Sequence, residues 1–155
     1  TASANADDGF EVDDGSNGNT LSNNTADNNG RRGIVIFSAT NILTGNTATN
    51  NGADGINLDG AEKNLVKKNT ASNNFDEGFE VFGANNLLQQ NVAKNNSGSG
   101  IEIELGGTKN KITGNTAQDN GDTVDEFDFK DENANCDSNK WSKNKTGIKS
   151  QSCIR

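Results

Sequence analysis

Apolar residues occupy every second position in six short segments of the chain. In each segment two apolar side chains flank one residue that is usually polar, which is the alternation of a β-strand with one buried face. A glycine stands directly before the first apolar residue in the first five segments. The pattern predicts six short strands, here called strand 1 of each coil: Phe10–Val12, Ile34–Ile36, Ile56–Leu58, Phe79–Val81, Ile101–Ile103 and Phe127–Phe129.

Two further columns of apolar residues recur in step with strand 1. One column holds Leu21, Leu43, Val66, Leu88, Ile112 and Trp141, and the other holds Ala2, Ala26, Ala48, Ala71, Ala93 and Ala117. Three inward columns that repeat every 22 to 24 residues predict an all-β solenoid of about six coils. Each coil should contribute three short strands, which pair in parallel with the neighbouring coils roughly 4.8 Å away.

Asparagine repeats with the same period in three columns. Asn tolerates the left-handed backbone of a tight bend, and its amide can bond to the same amide one coil above and below. We therefore predict three structural Asn ladders, which contain no site residues. They are Asn5, Asn29, Asn51, Asn74, Asn96 and Asn120 (ladder 1), Asn19, Asn41, Asn64, Asn86, Asn110 and Asn139 (ladder 2), and Asn24, Asn46, Asn69, Asn91, Asn115 and Asn144 (ladder 3).

The combined repeat, N-x-L-x-x-N-T-A-x-x-N-x-x-x-G-[IF]-x-[VIL], covers nearly the whole chain and resembles that of the pectate-lyase-like superfamily. The stretch 135–144, followed by Cys153 and Ile154, is similar to the C-terminal ends of exported bacterial β-helix repeat proteins. The resemblance implies a right-handed, single-stranded parallel β-helix. Its members include polysaccharide lyases, polygalacturonases, alginate epimerases and tailspikes, so it implies a fold without deciding an activity.

Composition narrows the class of protein further. Only 29% of the 155 residues are hydrophobic and the net charge is −8, which would suit a disordered chain if the apolar residues were not periodic. The negative charge argues against nucleic acid as a partner, and no segment is long and apolar enough to span a membrane. Cys136 and Cys153 are the only cysteines and the chain has no His, so a disulfide is favoured over a zinc site and an extracellular location, secreted or at the cell surface, is expected.

The domain organisation follows from the repeat. We expect a single β-helix domain over residues 1–155, with an irregular last coil and a disulfide-capped C-terminus at 116–155. The chain starts in mid-coil and has no Met, as a piece of a longer protein would. Two surfaces suit self-association: the open N-terminal edge, and a small apolar stripe of Ile42, Leu65 and Leu87.

Candidate chemistry lies on the outward side of strand 1. Like charges on paired strands repel, so the acidic column should need raised pKa values, a cation or a ligand. The alternative is an acidic face that serves solubility alone. Phe37 and Phe82, two coils apart, offer flat surfaces for sugar rings. No cofactor is required, but Ca²⁺ is an optional ligand of Glu80, Glu102 and Asp128, because carboxylates at one-coil spacing suit it. The predicted substrate-binding residues are Glu11, Phe37, Asn57, Asp59, Glu80, Phe82, Glu102, Glu104 and Asp128.

Three functions remain open from the sequence. The first is an exported module that binds a polysaccharide, in particular an acidic glycan bridged by Ca²⁺. The second is a polysaccharide lyase or glycoside hydrolase on the same face. A lyase would need Lys or Arg as its base, since His and Tyr are absent, whereas a hydrolase needs only two carboxylates. The third is a structural surface repeat without a small ligand. The sequence assigns no catalytic residue.

Overall fold

The computed structural model describes residues 1–121, 124–145 and 147–155. Its elements are short strands joined by bends, with one 3-10 helix at Ala134–Cys136. The strands are β1 (Ala2–Ser3), β2 (Phe10–Val12), β3 (Thr20–Ser22), β4 (Thr25–Asp27), β5 (Ile34–Ile36), β6 (Ile42–Thr44), β7 (Thr47–Thr49), β8 (Ile56–Asp59), β9 (Leu65–Lys67), β10 (Thr70–Ser72), β11 (Phe79–Phe82), β12 (Leu87–Gln89), β13 (Val92–Lys94), β14 (Ile101–Ile103), β15 (Lys111–Thr113), β16 (Thr116–Gln118), β17 (Phe129–Asp131) and β18 (Lys140–Ser142).

The strands form three parallel sheets that each take one strand from every coil. The alanine sheet contains β1, β4, β7, β10, β13 and β16, and the leucine sheet contains β3, β6, β9, β12, β15 and β18. Strand 1 of each coil forms the third, the acidic sheet, with β2, β5, β8, β11, β14 and β17. The predicted parallel β-helix is confirmed. No helix among the described residues is long and apolar enough to cross a membrane.

The core is a narrow column of stacked side chains between the three sheets. The inward residues of coils two to five are buried in all three columns. The glycine before strand 1 is required by close packing, since a Cβ on Gly33 would lie 2.6 Å from the carbonyl oxygen of Gly55 and 2.8 Å from the Ala48 side chain. Small residues on two walls therefore bring the sheets together, which is why a chain with few apolar residues can form a continuous core.

The Asn ladders form as predicted, with one correction. Within ladder 1, Asn74 accepts two hydrogen bonds at Oδ1 from Asn51, and its Nδ2 donates to Asn96 Oδ1 and to the carbonyl of Ala48. Every polar atom of the amide is thus paired. The left-handed residue of each bend, however, is the one before the ladder Asn, as at Asn73 (φ 57°), at every ladder position except Asn139. The ladder Asn itself supplies hydrogen bonds, and its neighbour supplies the turn.

Strand 1 of the sixth coil lies two residues later than predicted. Phe129 rather than Phe127 pairs with Ile101, and Lys130 rather than Asp128 lies beside Glu102. The prediction for this coil is wrong because Phe127 and Phe129 both fit the alternation, and the sequence landmark that separates them in other coils, a preceding glycine, is missing here.

Asp128 instead closes ladder 1. It takes the position that glycine has in the earlier coils, with its carbonyl accepting from Ile101 N–H. Its carboxylate accepts from the backbone N–H and the side-chain amide of Asn120, at 3.1 and 2.8 Å, and from Ile148 N–H at 2.9 Å. Because no further ladder Asn follows Asn120, this carboxylate takes the donors that would otherwise be unpaired.

The C-terminal end is capped as the sequence indicated. The Cys136–Cys153 disulfide is present, and the buried Asp131 accepts hydrogen bonds from Trp141 Nε1 at 2.8 Å and from Asn139. Residues 122, 123 and 146 of the predicted cap lie outside the described residues.

The two surfaces expected to favour self-association differ in exposure. Ile42 is exposed, while Leu65 and Leu87 are half-buried, and β1, β2 and β3 each pair on one side only. Association through either surface stays a prediction.

The ladder amides should dominate stability, which can be measured in one ladder. Asn74→Ala removes the acceptor of the buried Asn51 backbone N–H and of one Asn51 side-chain N–H, and it also removes the amide that donates to the Ala48 carbonyl. At about 1 to 3 kcal/mol for each buried unpaired group, we expect the free energy of unfolding to fall by about 3 to 5 kcal/mol. Urea unfolding followed by circular dichroism measures the change. Asn5→Ala is the matched control, because Asn5 is exposed at the end of the same ladder, and an equal loss for both variants would contradict the ladder argument.

Candidate functional site

Three columns of side chains lie on the outer face of the acidic sheet. The central column is Glu11, Val35, Asn57, Glu80, Glu102 and Lys130. The rim column, which follows each strand, is Asp13, Phe37, Asp59, Phe82, Glu104 and Glu132. The flank column, which precedes the glycine of each coil, is Asp8, Arg32, Asp54, Glu77, Ser99 and Phe127. The sequence pattern predicted the first two columns except for coil six.

A shallow groove of about 390 Å³ lies over the third to fifth coils of this face. Five of the predicted site residues line it together with Arg32 and Leu105: Asn57, Asp59, Glu80, Phe82 and Glu104. Phe82 is 49% exposed and Leu105 is 68% exposed, so the wall of the groove is apolar while its floor is polar. We call this depression the acidic groove.

The other predicted site residues lie outside the acidic groove. Glu11 lines a separate depression at the N-terminal end, and Phe37 is half-buried, with the Arg32 guanidinium 6.0 Å from its ring centre. Glu102 is buried beside Glu80 in the central column, and Asp128 closes ladder 1. The predicted metal set of Glu80, Glu102 and Asp128 therefore does not converge on one point.

The central column is far more buried than an outward strand face usually is. Val35, Asn57 and Glu102 are all buried, and flank-column side chains lie against two of them, Asp54 against Asn57 and Ser99 against Glu102. Asn57, for example, donates to Asp54 Oδ2 at 2.8 Å and also to the Glu80 carboxylate. The sequence pattern did not predict that side chains of the flank column would bury the central column. The signal available was a polar or charged residue directly before the glycine in each of the first five coils.

Burial makes Glu80 and Glu77 weak acids. Burial first, and then the negative charges of Asp54 and Glu104, raise the pKa of Glu80 to about 9. Burial and the adjacent Asp76 raise the pKa of Glu77 to about 10. Glu80 and Glu104 are hydrogen-bonded to each other, and the raised pKa of Glu80 keeps a proton on this pair at neutral pH. Raised pKa values are one of the three alternatives that the sequence argument leaves open for the acidic column.

Lys130 relieves the same repulsion one coil further on. Its Nζ lies 3.0 Å from Glu102 Oε1, 3.5 Å from Glu132 and 3.8 Å from Glu126. Burial opposes the charge of Lys130, but the hydrogen bond and attraction of Glu102 outweigh it and raise the Lys130 pKa. Glu102 is itself raised to a pKa of about 7, because burial outweighs the help from Lys130.

Within the described part of the chain, three groups of carboxylates have the spacing to hold a cation. Within each group, one oxygen from every residue lies within 4.8 Å of the others. The groups are Asp54 with Asp76 and Glu77, Glu77 with Glu102 and Glu126, and Glu102 with Glu104 and Glu132. These oxygen ligands suit Ca²⁺ better than a transition metal. Glu102, but neither Glu80 nor Asp128 of the predicted metal set, belongs to such a group.

The raised pKa values predict how stability depends on pH. Between the usual carboxyl pKa of 4.5 and about 9, folded Glu80 keeps a proton that the unfolded chain has lost. The stability should therefore fall as the pH rises from about 5 to about 9. Thermal unfolding in EDTA across this range measures the slope. Glu80→Gln should flatten it while Glu62→Gln, at an exposed position, should not; stability that rises with pH would contradict the burial of these acids.

Comparisons with known proteins agree with this architecture. A double mutant of the periplasmic alginate epimerase AlgG superposes with a TM-score of 0.72 at 20% identity, over 90% of this chain and 37% of that one. The A-module of the Azotobacter vinelandii mannuronan C-5 epimerase AlgE6 gives a TM-score of 0.70 at 16% identity, over 92% and 50%. The chain thus spans at most half the length of these structures, and at this identity they share its fold alone.

The family comparison covers more of the chain. No sequence match to a curated protein was found. The family model described as "Right handed beta helix region" matches residues 1–150, a span that includes all three ladders and the acidic sheet. The chain belongs to the right-handed β-helix family.

Proposed function

We propose that this chain binds a polysaccharide along the acidic groove. The observation that carries the proposal is the combination of an exposed aromatic ring, Phe82, with a polar floor in one open groove that runs across several coils. Sugar rings present apolar faces and a fringe of hydroxyl groups, so they pack on flat rings and bond to polar side chains. An open groove suits a chain that extends beyond the site in both directions.

Two further observations support a role outside the cytoplasm and in contact with glycans. The Cys136–Cys153 disulfide is typical of proteins in oxidising compartments. Two solved structures with the same fold are an alginate epimerase and a mannuronan C-5 epimerase, which act on polysaccharides. The proposal therefore includes an extracellular or periplasmic location.

The charge of the groove decides how an acidic glycan would bind. Asp59 and the Glu80–Glu104 pair, which together keep negative charge even while the pair holds one proton, line it and would repel the carboxylates of a polyuronate. We propose that a polyuronate binds only with Ca²⁺ between its carboxylates and those of the groove, which is the arrangement that hard oxygen ligands favour. A neutral glycan needs no such ion.

Removing the aromatic ring should weaken binding. For Phe82→Ala we expect a loss of affinity of about fivefold to tenfold, as lost stacking of about 1 kcal/mol implies. Isothermal titration with alginate, polygalacturonate and β-glucan oligomers measures it. Phe75→Ala is the matched control, because Phe75 is 74% exposed but does not line the groove. Equal effects of both variants, or no binding of any glycan, would sink the proposal.

The calcium requirement has its own test. Alginate or polygalacturonate oligomers should bind in millimolar Ca²⁺ and lose most of their affinity in EDTA, whereas the affinity of a neutral β-glucan oligomer should not change. The same titrations measure both. Polyuronate binding that is unchanged by EDTA would show that charge repulsion in the groove is not the controlling term.

A second candidate function is glycoside hydrolysis. Glu80 favours it as a candidate general acid, because its raised pKa keeps on this groove residue the proton that such a reaction transfers to the leaving group. Glu104, which is hydrogen-bonded to Glu80, lies closer than the roughly 5 Å that separates two catalytic carboxyls, so the second carboxylate would have to be another residue of the groove. Incubation with the same polymers should then release reducing ends, and Glu80→Gln should abolish the release. Binding without such release would leave the binding function alone.

A further inference from the structure

The acidic groove and its floor offer a ligand many hydrogen-bond acceptors and few donors. Among the described residues, two buried side-chain atoms lack a partner, and both are acceptors, Asn57 Oδ1 and Glu102 Oε2. Each residue is only 2% exposed. Asn57 lines the groove, and Glu102 is the neighbour of Glu80 in the central column but does not line the groove. A buried acceptor that has no donor costs free energy. Two such acceptors in the central column indicate that this face is short of hydrogen-bond donors and of positive charge.

The sixth coil contains an example of how this face accommodates a charged amine. The Lys130 ammonium lies within 3.0 to 3.8 Å of three carboxylates, and its side chain is only 18% exposed. An ammonium brings three donors and no acceptor. In coils three to five the central column has Asn57, Glu80 and Glu102, so an equivalent charge is missing there.

The only cation among the described residues that line the groove is Arg32, and it is already engaged. Its Nε lies 3.8 Å from Asp54 Oδ2, and its guanidinium lies 6.0 Å from the ring centre of Phe37. The positive charge of Arg32 therefore offsets the negative charge of Asp54 in the flank column. Glu80, Glu104 and Asp59 have no other cationic partner among the described residues that line the groove.

We propose that the acidic groove selects sugar residues that carry a free amine, whose ammonium lies against Glu80 and Glu104 beside Phe82. The inference rests on the proposed function, because it names the class of polysaccharide that the groove binds. The ring of Phe82 adds attraction for the same charge through its face. An amino sugar has its own positive charge, whereas a polyuronate needs a bound Ca²⁺ to supply positive charge in the groove. Since the Glu80–Glu104 pair holds a proton, the arriving ammonium displaces it into solution.

Two ligands with the same backbone test the inference. A β-1,4-linked glucosamine hexamer and its N-acetylated counterpart differ only in the charge of the amine. Titration calorimetry at about pH 6, where the sugar amines are charged, is carried out in EDTA to remove metal ions. We expect the free amine form to bind at least about tenfold more tightly, as a charge-assisted hydrogen bond in a partly buried site implies. Repeating the titration in buffers with different ionisation enthalpies measures the displaced proton.

Variants distinguish the groove from general attraction to an acidic protein. Glu80→Gln should remove most of the preference for the free amine and the displaced proton, while Glu62→Gln, which makes the same substitution at an exposed position outside the groove, should leave both. A preference that survives Glu80→Gln, or equal binding of the two hexamers, overturns the inference. Equal binding that still depends on Phe82 would leave the proposed function standing, whereas no binding of any glycan would overturn both. Loss of hexamer binding on adding Ca²⁺ would support a shared cation site, since the metal competes for the same oxygens.

Discussion

The amide of asparagine, repeated at the spacing of parallel strands, is the interaction on which the rest of this molecule depends. Each ladder amide in the middle of the stack has all its donors and acceptors paired, as Asn74 does with Asn51, Asn96 and the Ala48 carbonyl. Such pairing works only when identical residues stand at identical places in successive coils. The ladders therefore fix where each bend lies and which way every strand residue points. A chain with a small apolar fraction folds because polar groups inside the bends are as fully satisfied as those in the sheets.

The need to pair every amide donor also explains how ladders 1 and 2 end in the last coil. A ladder that stops leaves donors pointing along the axis, and the chain supplies a carboxylate to receive them, Asp128 for ladder 1. Asp131 likewise accepts hydrogen bonds from Asn139, the last amide of ladder 2, and from the indole N–H of Trp141. Acidic residues in the last coil thus complete the scaffold. The acidic residues that line the groove in coils three to five do not close a ladder, so they are available for a functional role.

How much of this could be predicted depended on landmarks that the scaffold itself requires. The ladders, the alanine column and the glycine before each strand set the register correctly through five coils. In coil six the glycine is replaced by Asp128, and two phenylalanines fit the alternation equally well, so the register was placed two residues early. The site was harder. Alternation marks Glu80 and Glu102 as outward, but an outward residue is exposed only if its neighbours leave it so. The flank residues Asp54 and Glu77 belong to a bend, where the alternation of a strand no longer says which way a side chain points, so the polar residue before each glycine is the only sign of them in the sequence.

The Asn ladders and the acidic face should also respond differently to pH. Asparagine amides do not titrate, so the ladders should be indifferent to pH across the range where Glu80, Glu102 and Glu77 gain or lose protons. The slope of stability with pH then reports mainly on the acidic face rather than on the fold as a whole. A ligand that brings positive charge to the groove should reduce that slope, because it replaces the protons as the groups that offset the buried carboxylates. A ligand that binds elsewhere on the solenoid would raise stability at every pH without changing the slope.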